Sequence, residues 1–341
     1  MKRVGNLTDR IAELDNLYLA YCKARRGKQT KKEVIRFSED LDKNLLQLRS
    51  EILEGNVDVG HYHFFKIYDP KERLICAASF RERVLHHAIM NVCHPYFDRR
   101  LIADTYATRK GKGVFAALDK VEKAVVQCRY VVKLDFRKYY DSISHDVLKH
   151  HLQRMFKDKR LLRIFGLIID SYHVDEGYGL PIGNLTSQYF ANTYLAELDH
   201  KCKEVWKVKY YVRYMDDIFM ADHSKRVLKF CVDKYRAASA ELFLNLKPPV
   251  FSVSTVGVDF LGYKMVKGCR SLTGRSKRRF RSKYLKYDRN LKNGEWDEAT
   301  YKDHILPLLS FVMHAETLSF RQSCQNLSLI HISEPTRRRG I

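Results

Sequence analysis

The chain has 341 residues, with 62 Lys and Arg against 40 Asp and Glu, a formal net charge of +22. Its 45% apolar and 12% aromatic content supplies the core of one large domain or of two to three packed subdomains, which excludes a disordered tail protein. The basic surplus points to a polyanionic partner, nucleic acid first, and no apolar run approaches the roughly 20 residues of a spanning helix, so no membrane is expected. The first residues, MKRVGNLTDRIAELDNLYLAY, lack the apolar stretch of a signal peptide. The eight cysteines are scattered, without a CxxC pair or a Cys/His cluster, as expected of reduced thiols in a cytoplasmic protein.

Residues 9–53 repeat apolar positions at three- and four-residue spacing (Ile11, Leu14, Leu17, Tyr18, then Leu41, Leu45, Leu48, Ile52), which predicts helices. The basic stretch Lys23–Lys32, containing Gly27, predicts a break between them. Gly55 to Pro70 is aromatic and partly alternating, a short β or loop region. Residues 80–101 return to helical spacing, with Pro95 predicted to end the helix. The β-branched run YVVKLDF is a strand, and 144–170 reads as one helix with Ser144 as its N-cap. A further helix follows Ser187. YYVRYMDDIFMAD, two apolar runs around a polar turn, predicts a hairpin. Lys225–Phe243 is helical, VGVDFLGYKMV supplies strand, and the chain is basic and helical from 270. Strands interleaved with helices around an antiparallel hairpin indicate an α+β fold.

The carboxylates carry the chemistry. Asp216 and Asp217 sit side by side at the hairpin tip, where like charges repel and strand ends beside a core are poorly hydrated. A hard divalent cation removes that cost; an ordinary Asp-rich turn is the alternative. Asp135 closes the apolar strand VVKLD, so a second acidic site emerges from buried sequence, unless it is a cap or turn residue. Converging on adjacent strands, the three would hold two metals about 4 Å apart, as in-line phosphoryl transfer requires.

At this point the residues resemble a known family, the reverse transcriptases, in order over about residues 66–320. Tyr214-Met215-Asp216-Asp217 resembles the family's YxDD box, and VVKLDFRKYYDSI (131–143) its first palm motif, with Asp135 at the metal position. The resemblance implies a right-hand polymerase fold with fingers, palm and helical thumb. It also implies two Mg²⁺ ions (Mn²⁺ may substitute), deoxynucleoside triphosphates, a template RNA and an RNA/cDNA duplex. Tyr140 falls at the sugar-gate position, where its ring would exclude a ribose 2′-OH; core packing is the alternative. Phe136, Ile182 and Gln188 join it as nucleotide-site residues. YATRKGKGVFAAL (106–118) is similar to a fingers motif, with Arg109, Lys110 and Lys112 as the candidate triphosphate clamp or else a basic surface loop. Lys247 lies where polymerases place a general acid, and Leu261, Gly262 and Tyr263 resemble the primer grip.

Between 270 and 292 ten Lys or Arg residues accompany one acid, Asp288, and alternate with aromatics. Arg275, Lys277, Arg278, Arg279, Arg281 and Lys283 would track the duplex backbone while the rings pack or stack; alternatively the charges are merely solvated. The implied division is a helical extension (1–65), fingers (66–130), palm (131–265, with 144–182 as its connection to the fingers), thumb (270–325) and an atypical tail (326–341). GLPIGNLTSQYFAN (179–192), with YATRKGKG and SFVMHAETLSFRQS (310–323), resembles the reverse transcriptases of diversity-generating retroelements. Those bacterial and phage enzymes copy a template RNA with errors at adenines and work with a small basic helical accessory protein. The alternatives are a retron, group II intron-like or phage-defence reverse transcriptase, or an RNA-binding protein with an inactive polymerase fold.

Overall fold

A computed structural model of the chain describes residues 2–68 and 72–326. Helices α1 (Thr8–Ile11), α2 (Leu14–Arg25), α3 (Lys32–Glu39) and α4 (Leu41–Glu54) precede strands β1 (Tyr62–Tyr68) and β2 (Glu72–Ala78). Helices α5 (Phe80–Arg100) and α6 (Val114–Gln127) lead to β3 (Tyr130–Leu134), followed by α7 (His145–Met155), α8 (Lys159–Asp170), α9 (Leu185–Tyr194) and α10 (Ala196–His200). Then come β4 (Tyr210–Tyr214), β5 (Asp217–Asp222), α11 (Lys225–Ala240), β6 (Val250–Val253) and β7 (Val258–Phe260). Strands β8 (Tyr263–Val266) and β9 (Cys269–Leu272) precede α12 (Gly274–Lys292), α13 (Glu298–Met313) and α14 (Leu318–Asn326). The fold is α+β with antiparallel pairing, as expected. Its residues form two compact units. The first holds the described residues up to Gly113 with Leu134–Ile218 and Lys229–Pro249; the second holds Val114–Lys133, Phe219–Leu228 and the described residues from Val250 on.

In the first unit, β1 and β2 pair antiparallel from Tyr62↔Ala78 to Tyr68↔Glu72. A capping box between Ser79 and Glu82 starts α5. Pro95 lies inside this helix, which continues to Arg100 and does not end at the proline. An internal proline costs about 3 kcal/mol, and packing offsets it. Two residues on, buried Phe97 contacts Phe156, Phe165, Tyr189 and Phe190, which anchors the last turn in an aromatic core. Ser144 caps α7 as predicted, but the span 144–170 is two helices. The Asp158 carboxylate opens α8 by accepting from the Leu161 amide, and it also accepts from Leu7 and Thr8.

In the second unit, β3 pairs antiparallel with β6 from Tyr130↔Val253 to Lys133↔Val250, and the distal residues of β5 lie on the other side of β3. The segment VGVDFLGYKMV is not one strand. Leu261 (φ 47°) and Gly262 (φ 87°) turn it into the β7–β8 hairpin, the paired positive φ values of a type I′ connection. Strand β9 extends the hairpin, so helix begins at Gly274 under a Thr273 cap, not at 270. Arg270 on β9 pairs with Asp119 and Glu122 of α6. Among the described residues no helix is long and apolar enough to cross a membrane. Of the proposed tail, 327–341 lies outside the described residues.

Candidate active site

The hairpin β4–β5 builds the site. Tyr211, Val212 and Arg213 are buried on the way in and Ile218–Ala221 on the way out, leaving the turn Met215–Asp216 at the edge of the core. Met215 occupies φ 53°, a left-handed conformation that costs a side-chain-bearing residue about 1–3 kcal/mol unless its surroundings impose it. Asp135 leaves β3 behind buried Leu134 and enters a second pairing inside the first unit. Phe136 bridges Leu246, Arg137 N–H donates to the Asn245 carbonyl (2.8 Å), and Lys247 N–H donates to the Asp135 carbonyl (2.9 Å). Antiparallel partners share a face, so the Lys247 ammonium meets the Asp135 carboxylate in a direct ion pair.

Asp216 responds to this arrangement. Burial, then the negative charges of Asp217 and Asp135, push its carboxyl up to about 6, against the opposing pull of its own backbone and of Lys247. The three carboxylates therefore lie within electrostatic reach of one another. Among the described residues no three acidic, His or Cys side chains are drawn into a closed ligand shell. Asp135 is turned onto Lys247. Half-buried hard oxygens with surplus negative charge fit a divalent cation of the Mg²⁺ class.

Tyr140 faces the same group of charges. Burial and then Asp216 raise its phenol to about 12, while Arg73 of β2 opposes the rise. Its carbonyl accepts from Leu180 N–H (2.9 Å), which ties it to the segment carrying Ile182. That segment is zipped to β2: Cys76 N–H donates to the Ile182 carbonyl (2.8 Å), and Ala78 N–H to Asn184 Oδ1 (3.2 Å). Gly183 has φ 122°, and a Cβ there would meet Ile75 at 2.9 Å, so only glycine permits this approach. Ile182 is half-buried and Gln188 is exposed on α9. Sequence reasoning assigned no role to Arg73. The signal was present in the opening arginine of RLICAASF, but without its strand partner nothing distinguished it from a surface cation.

Other expectations change. Phe136 is buried against Tyr139 and Tyr235. Arg109 is held by Asp98 of α5 (2.6 Å), the Ile102 carbonyl (2.6 Å) and Thr105, so it ties its loop to the end of that helix. Lys112 donates to the Ala103 carbonyl and lies over the Tyr106 ring; Lys110 is exposed. Tyr263 is fully buried and its hydroxyl donates to the Phe311 carbonyl (2.5 Å), while Leu261 and Gly262 are half-buried, the Gly262 carbonyl accepting from the Ser276 hydroxyl (2.7 Å). On α12, Phe280 and Tyr284 point into the second unit, so the rings pack and do not stack on bases. Arg275, Lys277, Arg278, Arg279 and Arg281 are exposed and Lys283 is half-buried.

Residues 68–265, more than half of the chain, match the protein family described as reverse transcriptase (RNA-dependent DNA polymerase). The chain is similar to protein YkfC of Escherichia coli, 24% identical over 188 residues that cover 49% of each. It is also similar to a putative COX1/OXI3 intron 1 protein of Saccharomyces cerevisiae, 22% identical over 58% of this chain and 25% of that one. The chain thus spans about half the length, or less, of these curated relatives. A solved telomerase from Candida tropicalis, in complex with a fragment of telomeric RNA, aligns over 78% of this chain and 55% of its own, with 12% identity and a TM-score of 0.48.

Proposed function

Since the chain belongs to the reverse transcriptase (RNA-dependent DNA polymerase) family, we propose that it copies a template RNA into cDNA from deoxynucleoside triphosphates. One observation carries this reading: the half-buried Asp216 carboxyl, raised to about 6 with Asp217 and Asp135 beside it. Three carboxylates drawn together around Lys247 fit a site that a cation and its phosphate ligands complete.

Asp135, Asp216 and Asp217 would hold two Mg²⁺ ions, or Mn²⁺ in their place. Bound there, the ions supply activation of the primer hydroxyl and neutralisation of the phosphates. Tyr140 presents a flat ring where a ribose 2′-OH would sit and so favours deoxynucleotides. Arg73, within electrostatic reach of Tyr140, offers a planar fork to triphosphate oxygens. Lys247, ion-paired with Asp135, is the group placed to protonate departing pyrophosphate. The exposed cations of α12 hold the backbone of an RNA/cDNA duplex by charge, without reading sequence.

Primer extension on an RNA template with Mg²⁺ or Mn²⁺ tests this. Asp216→Asn is expected to lower extension by at least about 10²–10³-fold, the scale of removing one electrostatic stabiliser of a transition state, while salt-sensitive RNA binding survives. A wild-type chain that binds RNA but never extends the primer would be an RNA-binding protein with an inactive polymerase fold.

Within the family, the GLPIGN segment supports a retroelement reverse transcriptase of the diversity-generating kind, active in a bacterial or phage-infected cytoplasm with a small basic helical accessory protein. Ile182 offers the nascent base pair an apolar side chain with no hydrogen-bonding group, which relaxes polar checking there. Misincorporation opposite template adenine is expected to fall several-fold in Ile182→Gln; an unchanged error rate removes Ile182 from the explanation. The second reading is an intron-type reverse transcriptase, favoured by a relative named as an intron protein.

A further inference from the structure

Arg213 lies directly beneath the hairpin tip, on β4, and is wholly buried. A guanidinium has five N–H donors, and here all five are used. Nε and Nη2 donate to the two oxygens of Asp199 on α10, at 2.7 and 2.5 Å. Nη2 also reaches the Asn192 carbonyl on α9 (3.0 Å), and Nη1 the Asn192 side-chain oxygen (2.7 Å). The last donor of Nη1 goes to the carbonyl of Met215 (3.0 Å), the turn residue with the left-handed φ.

The frame around this arginine is fixed from several directions. Tyr211 donates its hydroxyl to Asp199 (2.7 Å), and Asn192 donates its amide to the Ala107 carbonyl (2.9 Å). The Arg213 backbone is pinned by Asp104 and Tyr106, each at 3.0 Å. Compensating the buried Asp199 needs only two of the five donors. The Met215 bond does something different: it grips one peptide of a strained turn whose next two residues are Asp216 and Asp217.

We propose that Arg213 is a positioning residue that locks the Met215 peptide, and through it the placement of the Asp216 and Asp217 carboxylates toward a divalent cation. The inference rests on the metal-binding role proposed for those aspartates. Asn192 is the brace that keeps the guanidinium aimed at the turn, and Asp199 the counter-charge that lets it be buried. A lysine at 213 retains the charge for Asp199 but has three donors on a rotating point and no planar fork, so it cannot serve Asp199, Asn192 and Met215 together.

Two variants test it. Arg213→Lys keeps the ion pair; Arg213→Met/Asp199→Leu removes both charges and keeps an apolar volume, a replacement that buried ion pairs commonly tolerate. For each, Mn²⁺ binding is titrated by electron paramagnetic resonance without substrate, and single-nucleotide incorporation gives kcat and KM. The expected result is an Mn²⁺ affinity weakened about tenfold, the scale of losing an outer-shell support. Alongside it kcat falls about 10²-fold, with KM for the nucleotide nearly unchanged, as for a misplacement of about 1 Å at a reacting centre. A folded double variant with wild-type Mn²⁺ affinity and wild-type kcat overturns the proposal. If wild-type protein never extends a primer while Mn²⁺ affinity still drops in both variants, the positioning role stands and the polymerase reading falls instead.

Discussion

Asp199 and Asp216 belong to the same compact unit and contact the same β4 strand and its turn, yet the fold treats their charges in opposite ways. Asp199 is fully buried, but both its oxygens are satisfied by Arg213, and one also accepts from Tyr211. That pair holds the Arg213 guanidinium charged against the cost of burial. Asp216 is half-buried beside two further carboxylates, with Lys247 as the opposing cation and that cation already committed to Asp135. The chain evidently can neutralise a buried carboxylate completely. At Asp216 the compensation is incomplete, and its raised carboxyl is what a cation from outside would relieve.

Stability measurements can break this comparison. Removing Arg213 alone strands the Asp199 charge, so Arg213→Met is expected to cost about 3–5 kcal/mol. Asp216→Asn should move the other way. A carboxyl held above its ordinary value is destabilised when ionised, and its replacement by a neutral amide is expected to stabilise the metal-free protein by about 1 kcal/mol after allowance for solvent screening. Urea denaturation in the presence of a chelator reads both. A loss of stability in Asp216→Asn would mean that its charge is compensated after all, and the contrast with Asp199 would collapse. The same substitution is predicted to lower extension by at least about 10²–10³-fold, so stability and activity should part at this residue.

Much of this was legible in the sequence, and the limits have physical causes. The hairpin around Met215-Asp216 follows from two apolar runs about a polar turn, and Asp135 could be placed at a strand end because its strand is short, β-branched and buried. Pattern alone did not show that Pro95 sits within α5, because only tertiary contacts of Phe97 reveal what offsets a missing hydrogen bond. Arg109 read as a phosphate clamp because a cation next to glycines is ambiguous until its neighbour Asp98, on a different element, comes into view. Arg213 was passed over for a similar reason. A charged residue one position from a tyrosine in a strand carries no sign that Asp199, 14 residues earlier, will bury with it.

His86 extends the comparison to a third way of handling a buried polar group, and gives its smallest predicted effect. It lies on α5, fully buried, and its Nδ1 has no partner. Burial, and then the neighbouring His87, lower its imidazole to about 3, so it sheds its charge where Asp199 keeps its own through a partner. The unfolded chain binds a proton near the ordinary value of 6.5 and the folded chain does not. Stability from this group is therefore present above 6.5 and is lost progressively as the pH falls toward 3. Between pH 7.5 and 5.5 the loss from this residue amounts to about 1.4 kcal/mol. His87 and His151 are lowered too, whereas His61 and Asp216 are raised and act in the opposite sense, so the diagnostic quantity is a difference. Urea denaturation of wild type and His86→Leu at the two pH values isolates it: the variant should retain about 1.4 kcal/mol more across that interval. Parallel losses would mean that His86 takes up its proton inside the fold, with water or a rearranged neighbour supplying the partner that Arg213 supplies to Asp199.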